Sequence, residues 1–213
     1  MTLLRIDSSI QGPASSSAAL ADLVLEEFLA ARPDEQVVTR HLGADPLPSD
    51  AWANAIHGSF TPEDQRTPAQ VEALALAASL AAELQAADAV VLALPLYNFG
   101  ISQHVKTWID LVLAGAGAGT PLLTGKPVVL LTTRGGSYAP GTPREGWDHN
   151  TDYLRRILVD VWQADLTVVE REFTLVGVNP ALDDFIEPAA VMKKVAEEAA
   201  AEAGQVLAGG LSR

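Results

Sequence analysis

The chain contains no cysteine and only two methionines among its 213 residues. Disulfides, thiolate metal sites and cysteine nucleophiles are therefore excluded at once. Aromatic residues make up only 6%, so few side chains are available to wall a flat ligand. Basic residues are also in short supply: 14 Lys and Arg stand against 27 Asp and Glu, a formal charge of −13. Binding to DNA, RNA or an anionic membrane needs Lys/Arg patches, so none of these is an expected partner. The same charge slows an anionic substrate unless the site is locally positive, although its simplest consequence is solubility. No run of about 18 apolar residues occurs, so no membrane-spanning helix is expected. The N-terminus enters an apparent strand by Leu3 without a basic region, an apolar core segment or a small-residue cleavage site. No secretory leader is expected from this, and the expected location is the cytoplasm. The four histidines, His41, His57, His104 and His149, lack metal-ligand spacing, so no metal site is expected.

What is present is an alternation of strand and helix patterns in a chain of single-domain length. Apolar strands are expected at 3–8, 36–41, 89–94, 127–133 and 166–175. Helices are expected at 15–31, 67–86, 103–114, 147–162 and 188–207. In the first of them Leu20, Leu23, Val24 and Phe28 form one stripe. Thr67-Pro68 supplies an N-cap followed by proline at the first helical position. Residues 43–66, rich in Pro, Gly, Asp and Ser, read as a long loop insertion with at most one short helix. Residues 115–119 read as a flexible glycine connector. Five strands, each followed by a helix, predict an α/β three-layer sandwich: a parallel sheet in the flavodoxin-like order 2-1-3-4-5 with helices on both faces. The mixed strand at 36–41 belongs near an edge, and the wholly apolar one at 89–94 near the centre. In such a sheet a ligand sits at the carboxyl ends of strands 1 and 3.

Three strand-to-helix loops carry the candidate chemistry. The first, residues 8–17, contains Ser9 and the run Ser15-Ser16-Ser17 at the start of a helix. Unpaired N–H groups and the positive dipole end there favour a phosphate, with serine hydroxyls as further donors. The second, Leu94-Pro95-Leu96-Tyr97-Asn98-Phe99-Gly100, offers two aromatic rings to wall a flat ligand and main-chain amides to meet its polar edge. The third, Thr133-Arg134-Gly135-Gly136-Ser137-Tyr138, offers close backbone approach at paired glycines and a cation in Arg134. Taken singly, each also reads as an ordinary capped or glycine-containing turn. Together they suit a phosphorylated planar ligand.

In order and spacing, Ser9, Ser15-Ser16-Ser17, Leu96-Tyr97-Asn98-Phe99 and Thr133-Arg134-Gly135-Gly136 resemble the flavin-binding loops of the FMN-dependent NADH azoreductase/quinone reductase family. The likeness runs from about Leu3 to the fifth strand and includes Gln103-His104-Val105-Lys106 to Asp110 in the following helix. The resemblance implies a flavodoxin-like homodimer with noncovalent FMN and active sites at the interface. It implies ping-pong hydride transfer from NADH or NADPH through FMN to a quinone or azo acceptor. Ser9 and Ser15 to Ser17 would hold phosphate and ribityl, Leu96 to Phe99 the isoalloxazine edge, and Thr133 to Gly136 its other side. No side chain is expected to act as an essential general base, because the cofactor carries the chemistry. Two departures stand out. Tyr138 occupies a position where members of that family often carry histidine. Residues 115–124 lack the aromatics that some members place over the flavin, which leaves Trp147 or the 43–66 segment to take that part.

Other motifs fall short. Residues 119–126 miss the phosphate-loop spacing, and Pro127 stands where Ser or Thr is required. Gly136-Ser137-Tyr138-Ala139 lacks the closing glycine of a nucleophile elbow. Asp148-His149 reads as helix capping by Asp before it reads as catalysis. Two rival readings stay open at this point: an electron carrier or binding module of the same fold, and a hydrolase using Ser137 or Ser9.

Overall fold

Strand and helix alternate through the computed structural model, which describes residues 1–117 and 119–210. The strands are β1 (Thr2–Asp7), β2 (Gln36–His41), β3 (Ala89–Ala93), β4 (Pro127–Thr133) and β5 (Asp165–Arg171). They form one parallel sheet in the order β2-β1-β3-β4-β5, as the pattern predicts. The helices are α1 (Ser16–Ala31), α2 (Ala51–Phe60), α3 (Pro68–Ala86), α4 (Gln103–Ala116), α5 (Thr151–Arg155) and α6 (Ile186–Gly210).

Side-chain alternation along the strands explains the two covering layers. Leu4, Ile6, Val90, Leu92, Val128 and Leu130 face a core shared with α2, α3, α4 and α5, where Leu80, Leu84, Trp108 and Leu154 are buried. Leu3, Ala89, Val91, Ala93, Val129 and Leu131 face the opposite core, closed by Leu20, Val24 and Phe28 of α1 and Ala196, Ala200 and Ala203 of α6. A buried ion pair, Arg5 with Asp7, enters that second layer. Arg5 is buried, and its guanidinium donates to Asp7 (2.9 Å), to Asp22 (2.6 Å) and to the Ala18 carbonyl in the first turn of α1. It ties the helix start to β1.

Several expectations are corrected. The helix expected from Trp147 begins only at Thr151, because the Asp148 carboxylate accepts the N–H groups of Asn150 (2.8 Å) and Thr151 (3.0 Å) and starts the turn there. After α5 the chain continues as a π-helix, Arg156–Val161, whose side-chain periodicity over so short a stretch resembles an α-helix. β5 ends at Arg171, not Leu175, since Phe173 turns at φ +56° and Thr174 and Leu175 donate to Arg134 and Gly135 instead of to a strand. The 43–66 segment holds the ten-residue α2 and a 3-10 turn, Glu63–Gln65. Ala51, Ala55 and Gly58 are buried on α2. The connector expected at 115–119 begins later, because α4 runs through Ala116; Ala118 lies outside the described residues.

Candidate functional site

Register brings the three loops together. Asp7 pairs with Ala93, and Ala93 with Leu131, so the carboxyl ends of β1, β3 and β4 stand level. Pairing then continues beyond the strands: Ser8 N–H donates to Ala93 (3.2 Å), Leu94 N–H to Leu131 (3.0 Å) and Leu96 N–H to Thr133 (3.0 Å). Between β1 and β3 the chain order reverses direction, which opens a crevice at the strand ends.

In the first loop, a 3-10 turn at Gly12–Ala14 delivers Ser15 as N-cap of α1, its Oγ accepting from Ala18 N–H at 3.1 Å. The N–H groups of Ser16 and Ser17 precede the first intrahelical bond and have no acceptor within the helix. Ser15 is held from below by Ser17, whose hydroxyl lies 3.2 Å away and is 1% exposed. The Tyr97 hydroxyl reaches across from the second loop, 3.3 Å from Ser9 Oγ and 3.1 Å from Ile10 N–H, which donates to it.

The second loop is a tight turn with mutual Tyr97–Gly100 main-chain hydrogen bonds of 3.0 Å. Its central residues, Asn98 (φ 47°) and Phe99 (φ 70°), are both left-handed, the geometry of a type I′ turn. Asn tolerates this region, but a phenylalanine there costs on the order of 1–3 kcal/mol. Such strain is retained where it aims a group, and here it turns the Phe99 ring outward. That ring meets Trp147 edge-on at 5.4 Å and Tyr138 at 6.5 Å. Trp147 thus stands beside the flat-ligand wall. The Phe99 carbonyl also accepts from His149 N–H at 2.9 Å, latching the second loop to the third.

In the third loop the Arg134 side chain turns to protein partners. Its guanidinium, in a residue 5% exposed, donates to Asp148 (2.8 Å from Nε), Glu170 (2.9 Å) and Thr151 (3.0 Å), and so braces the loop from behind. Burial works against its charge, and the Glu170 and Asp148 carboxylates outweigh that, holding its pKa above the ordinary arginine value. Burial likewise opposes ionisation of Asp148, but hydrogen bonds from Thr151, Arg134 and Asn150 win and pull its pKa below the usual aspartate value. Gly135 allows Leu175 to close down: a Cβ there would stand 2.6 Å from Leu175 Cδ1. The Ser137 hydroxyl donates to Glu172 and Ser9 Oγ pairs with the Tyr97 hydroxyl, so among the described residues neither serine is hydrogen-bonded to a histidine or lysine base.

The loops enclose a cleft of about 490 Å³, within the roughly 300–1,000 Å³ typical of small-molecule sites. Ser9, Ser15 and Ser16 of the first loop, Leu96 to Phe99 of the second, and Thr133 and Gly135 of the third line it. Ser17, Arg134 and Gly136 support these walls without lining them. Residues not picked out as candidates also line it: Gln11, Tyr138, Arg144, Thr174, Leu175 and Val178. For Arg144 a signal was present, a cation in a Gly/Pro-rich loop directly after a central strand. For Leu175 and Val178 there was none, because their place depends on the reversal at Phe173. A second hollow of about 360 Å³ lies around residues 31–35 and Ala208, remote from the strand carboxyl ends and walled mainly by polar groups. Among the described residues no group of three or more His, Asp or Glu converges as metal ligands.

Residues 1–199 match a sequence profile described as the flavodoxin-like fold. A Frankia alni protein named FMN-dependent NADH:quinone oxidoreductase is 40% identical over 190 residues, covering 87% of this chain and 90% of its own. A Streptomyces avermitilis protein of the same name is 38% identical over 210 residues, covering 96% of each. The crystal structure of the azoreductase AzrA superposes with a TM-score of 0.77 at 25% identity, covering 96% of this chain and 99% of that one. Matched over nearly its whole length, and carrying the strand order that the match requires, the chain belongs to the flavodoxin-like fold family.

Proposed function

We propose that this protein is an FMN-dependent NADH:quinone oxidoreductase that also accepts azo compounds, and that FMN binds noncovalently in the cleft. One observation carries the reading. At the sheet's switch point a hydroxyl-lined helix start, a strained aromatic turn and a glycine-bearing loop converge on one cleft, each supplying a different part of what a phosphorylated tricyclic ring needs. The Frankia and Streptomyces relatives, named for FMN, NADH and quinone, support it.

Ser9, Ser15 and Ser16, with the α1 amides, hold the phosphate and ribityl chain, and Ser17 fixes Ser15 from beneath. Leu96, Tyr97, Asn98 and Phe99 hold the ring edge; Thr133 and Gly135 take its other side, with Gly136 and Arg134 keeping that loop in shape. FMN supplies the two-electron carrier that hydride chemistry between nicotinamide and quinone needs. The net change is NADH, a proton and quinone to NAD⁺ and hydroquinone, with donor and acceptor using the cleft in turn. The protein's part is to orient the reactants and exclude water.

The working form is a homodimer in the cytoplasm, with the cleft mouth facing the partner copy. Phe99 and Trp147, both exposed and in edge contact beside the cleft, support a partner surface covering its mouth. The test is direct. The purified protein is yellow or takes up one FMN per chain, NADH bleaches it, and naphthoquinone restores the colour without any protein partner. Colourless protein that takes up no FMN overturns the reading, and reoxidation only through another protein favours an electron carrier.

A further inference from the structure

The two arginines of the third loop differ in one respect. Arg134 is surrounded by carboxylates and faces away from the cleft. Arg144 lines the cleft, is exposed, and among the described residues makes no side-chain hydrogen bond or ion pair. Two acids of this region bond elsewhere. Glu145 accepts Gly141 N–H at 2.8 Å, and Glu172 accepts Ser137 Oγ–H and Tyr138 N–H. The Arg144 guanidinium carbon lies 5.8 Å from the centre of the Tyr138 ring, within cation–π range. Gly136 makes room for this: a Cβ there would fall 2.5 Å from Arg144 Nη1. The backbone carrying Arg144 is itself pinned, since Trp147 N–H donates to its carbonyl (3.1 Å) and Thr142 bonds Ala139 on both its N–H and its hydroxyl. Among the described residues Arg144 is also the one charged side chain lining the cleft, in a chain of formal charge −13 that otherwise repels anions.

We infer that Arg144 is a specificity residue: its guanidinium recognises an anionic group, sulfonate, carboxylate or phosphate, on the planar molecule that enters the cleft beside Phe99 and Tyr138. The inference rests on the functional reading above and deepens it. Tyr138 is part of the same device, because its ring face holds a guanidinium that a protonated histidine in that position would repel. The position favours the substrate over the cofactor tail: Arg144 sits over the Tyr138 ring, which neighbours Phe99, whereas the serines that suit a phosphate belong to the first loop. A planar guanidinium supplies paired donors that match an oxyanion, and the charge lets that bond survive partial exposure.

Two sources of such an anion exist, the phosphates of the donor dinucleotide and an acid group on the acceptor. KM is measured for NADH against uncharged N-benzyl-dihydronicotinamide, and for naphthoquinone sulfonate against naphthoquinone, in the flavin-loaded protein and in R144Q and R144K. FMN affinity is measured separately by flavin fluorescence. The expected result is that R144Q raises the anionic-to-neutral KM ratio about tenfold in one pair or both, and the pair that responds identifies the source. R144K recovers part of the loss, the effect shrinks at high ionic strength, and FMN affinity stays within about twofold. Equal shifts for charged and neutral partners, no shift, or a parallel loss of FMN affinity overturns the inference while leaving the functional reading intact. Wild-type protein that binds no FMN overturns both.

Discussion

The Tyr97 hydroxyl connects two loops that are 88 residues apart, meeting Ser9 Oγ and Ile10 N–H. Tyr97→Phe removes that connection and little else. It is expected to lower stability by about 1 kcal/mol and to weaken FMN binding several-fold, checked by chemical denaturation and flavin fluorescence. Arg5 is a harsher case. Arg5→Ala leaves Asp7 buried without its partner, and its other oxygen already has none. A loss of about 3–5 kcal/mol is expected, as for one half of any buried ion pair, read as a fall in Tm. At this scale the sequence was uneven as a guide. Ser15 as N-cap and Tyr97 and Phe99 as cleft walls follow from local pattern. The saturation of Arg134 does not, because its partners Asp148 and Glu170 lie 14 and 36 residues away and only tertiary packing unites them.

Among the elements, α5 is the most sensitive to one side chain. Asp148 accepts two N–H groups at its start, the Thr151 hydroxyl and the Arg134 guanidinium. Asp148→Asn keeps the size but loses the charge, and is expected to cost about 2 kcal/mol. The depressed pKa of Asp148 also sets a pH window. The folded protein releases this proton more readily than the unfolded chain, whose aspartate titrates near pH 4 (about 3.9). The stabilisation is therefore complete above that pH and disappears as pH falls toward the lower folded value. Urea midpoints measured between neutral pH and about pH 3 are expected to fall more steeply for wild type than for Asp148→Asn. The same residue explains where element boundaries could be read. β2, α3 and β4 have their ends in plain local signals, such as the Thr67–Gln70 capping box. The start of α5 is set by the local Asp148 carboxylate, whereas the end of β5 is decided by long-range bonds to the third loop, which periodicity does not register.

At the scale of the molecule, strand–helix alternation was sufficient to place the cleft, because strand order alone determines where the switch point lies. The fill of the cleft was not equally accessible, since Leu175 and Val178 arrive through a reversal after β5. The proposed dimer belongs here as well. Phe60 is 85% exposed at the end of α2, and Phe60→Glu is expected to shift sedimentation toward the monomer; an unchanged profile places the interface elsewhere.

The cleft is fastened unequally. Its second and third loops are laced by main-chain bonds, Leu96 to Thr133 and His149 to Phe99, whereas the first, beyond Ser8, is held to the second through the phenol of Tyr97. Without a ligand, amide deuteration should run ahead on the serine-bearing jaw while the aromatic jaw stays protected. Cofactor entry would then be paced by the settling of that looser side, and protection at Gln11 through Ser17 should rise most when FMN is added.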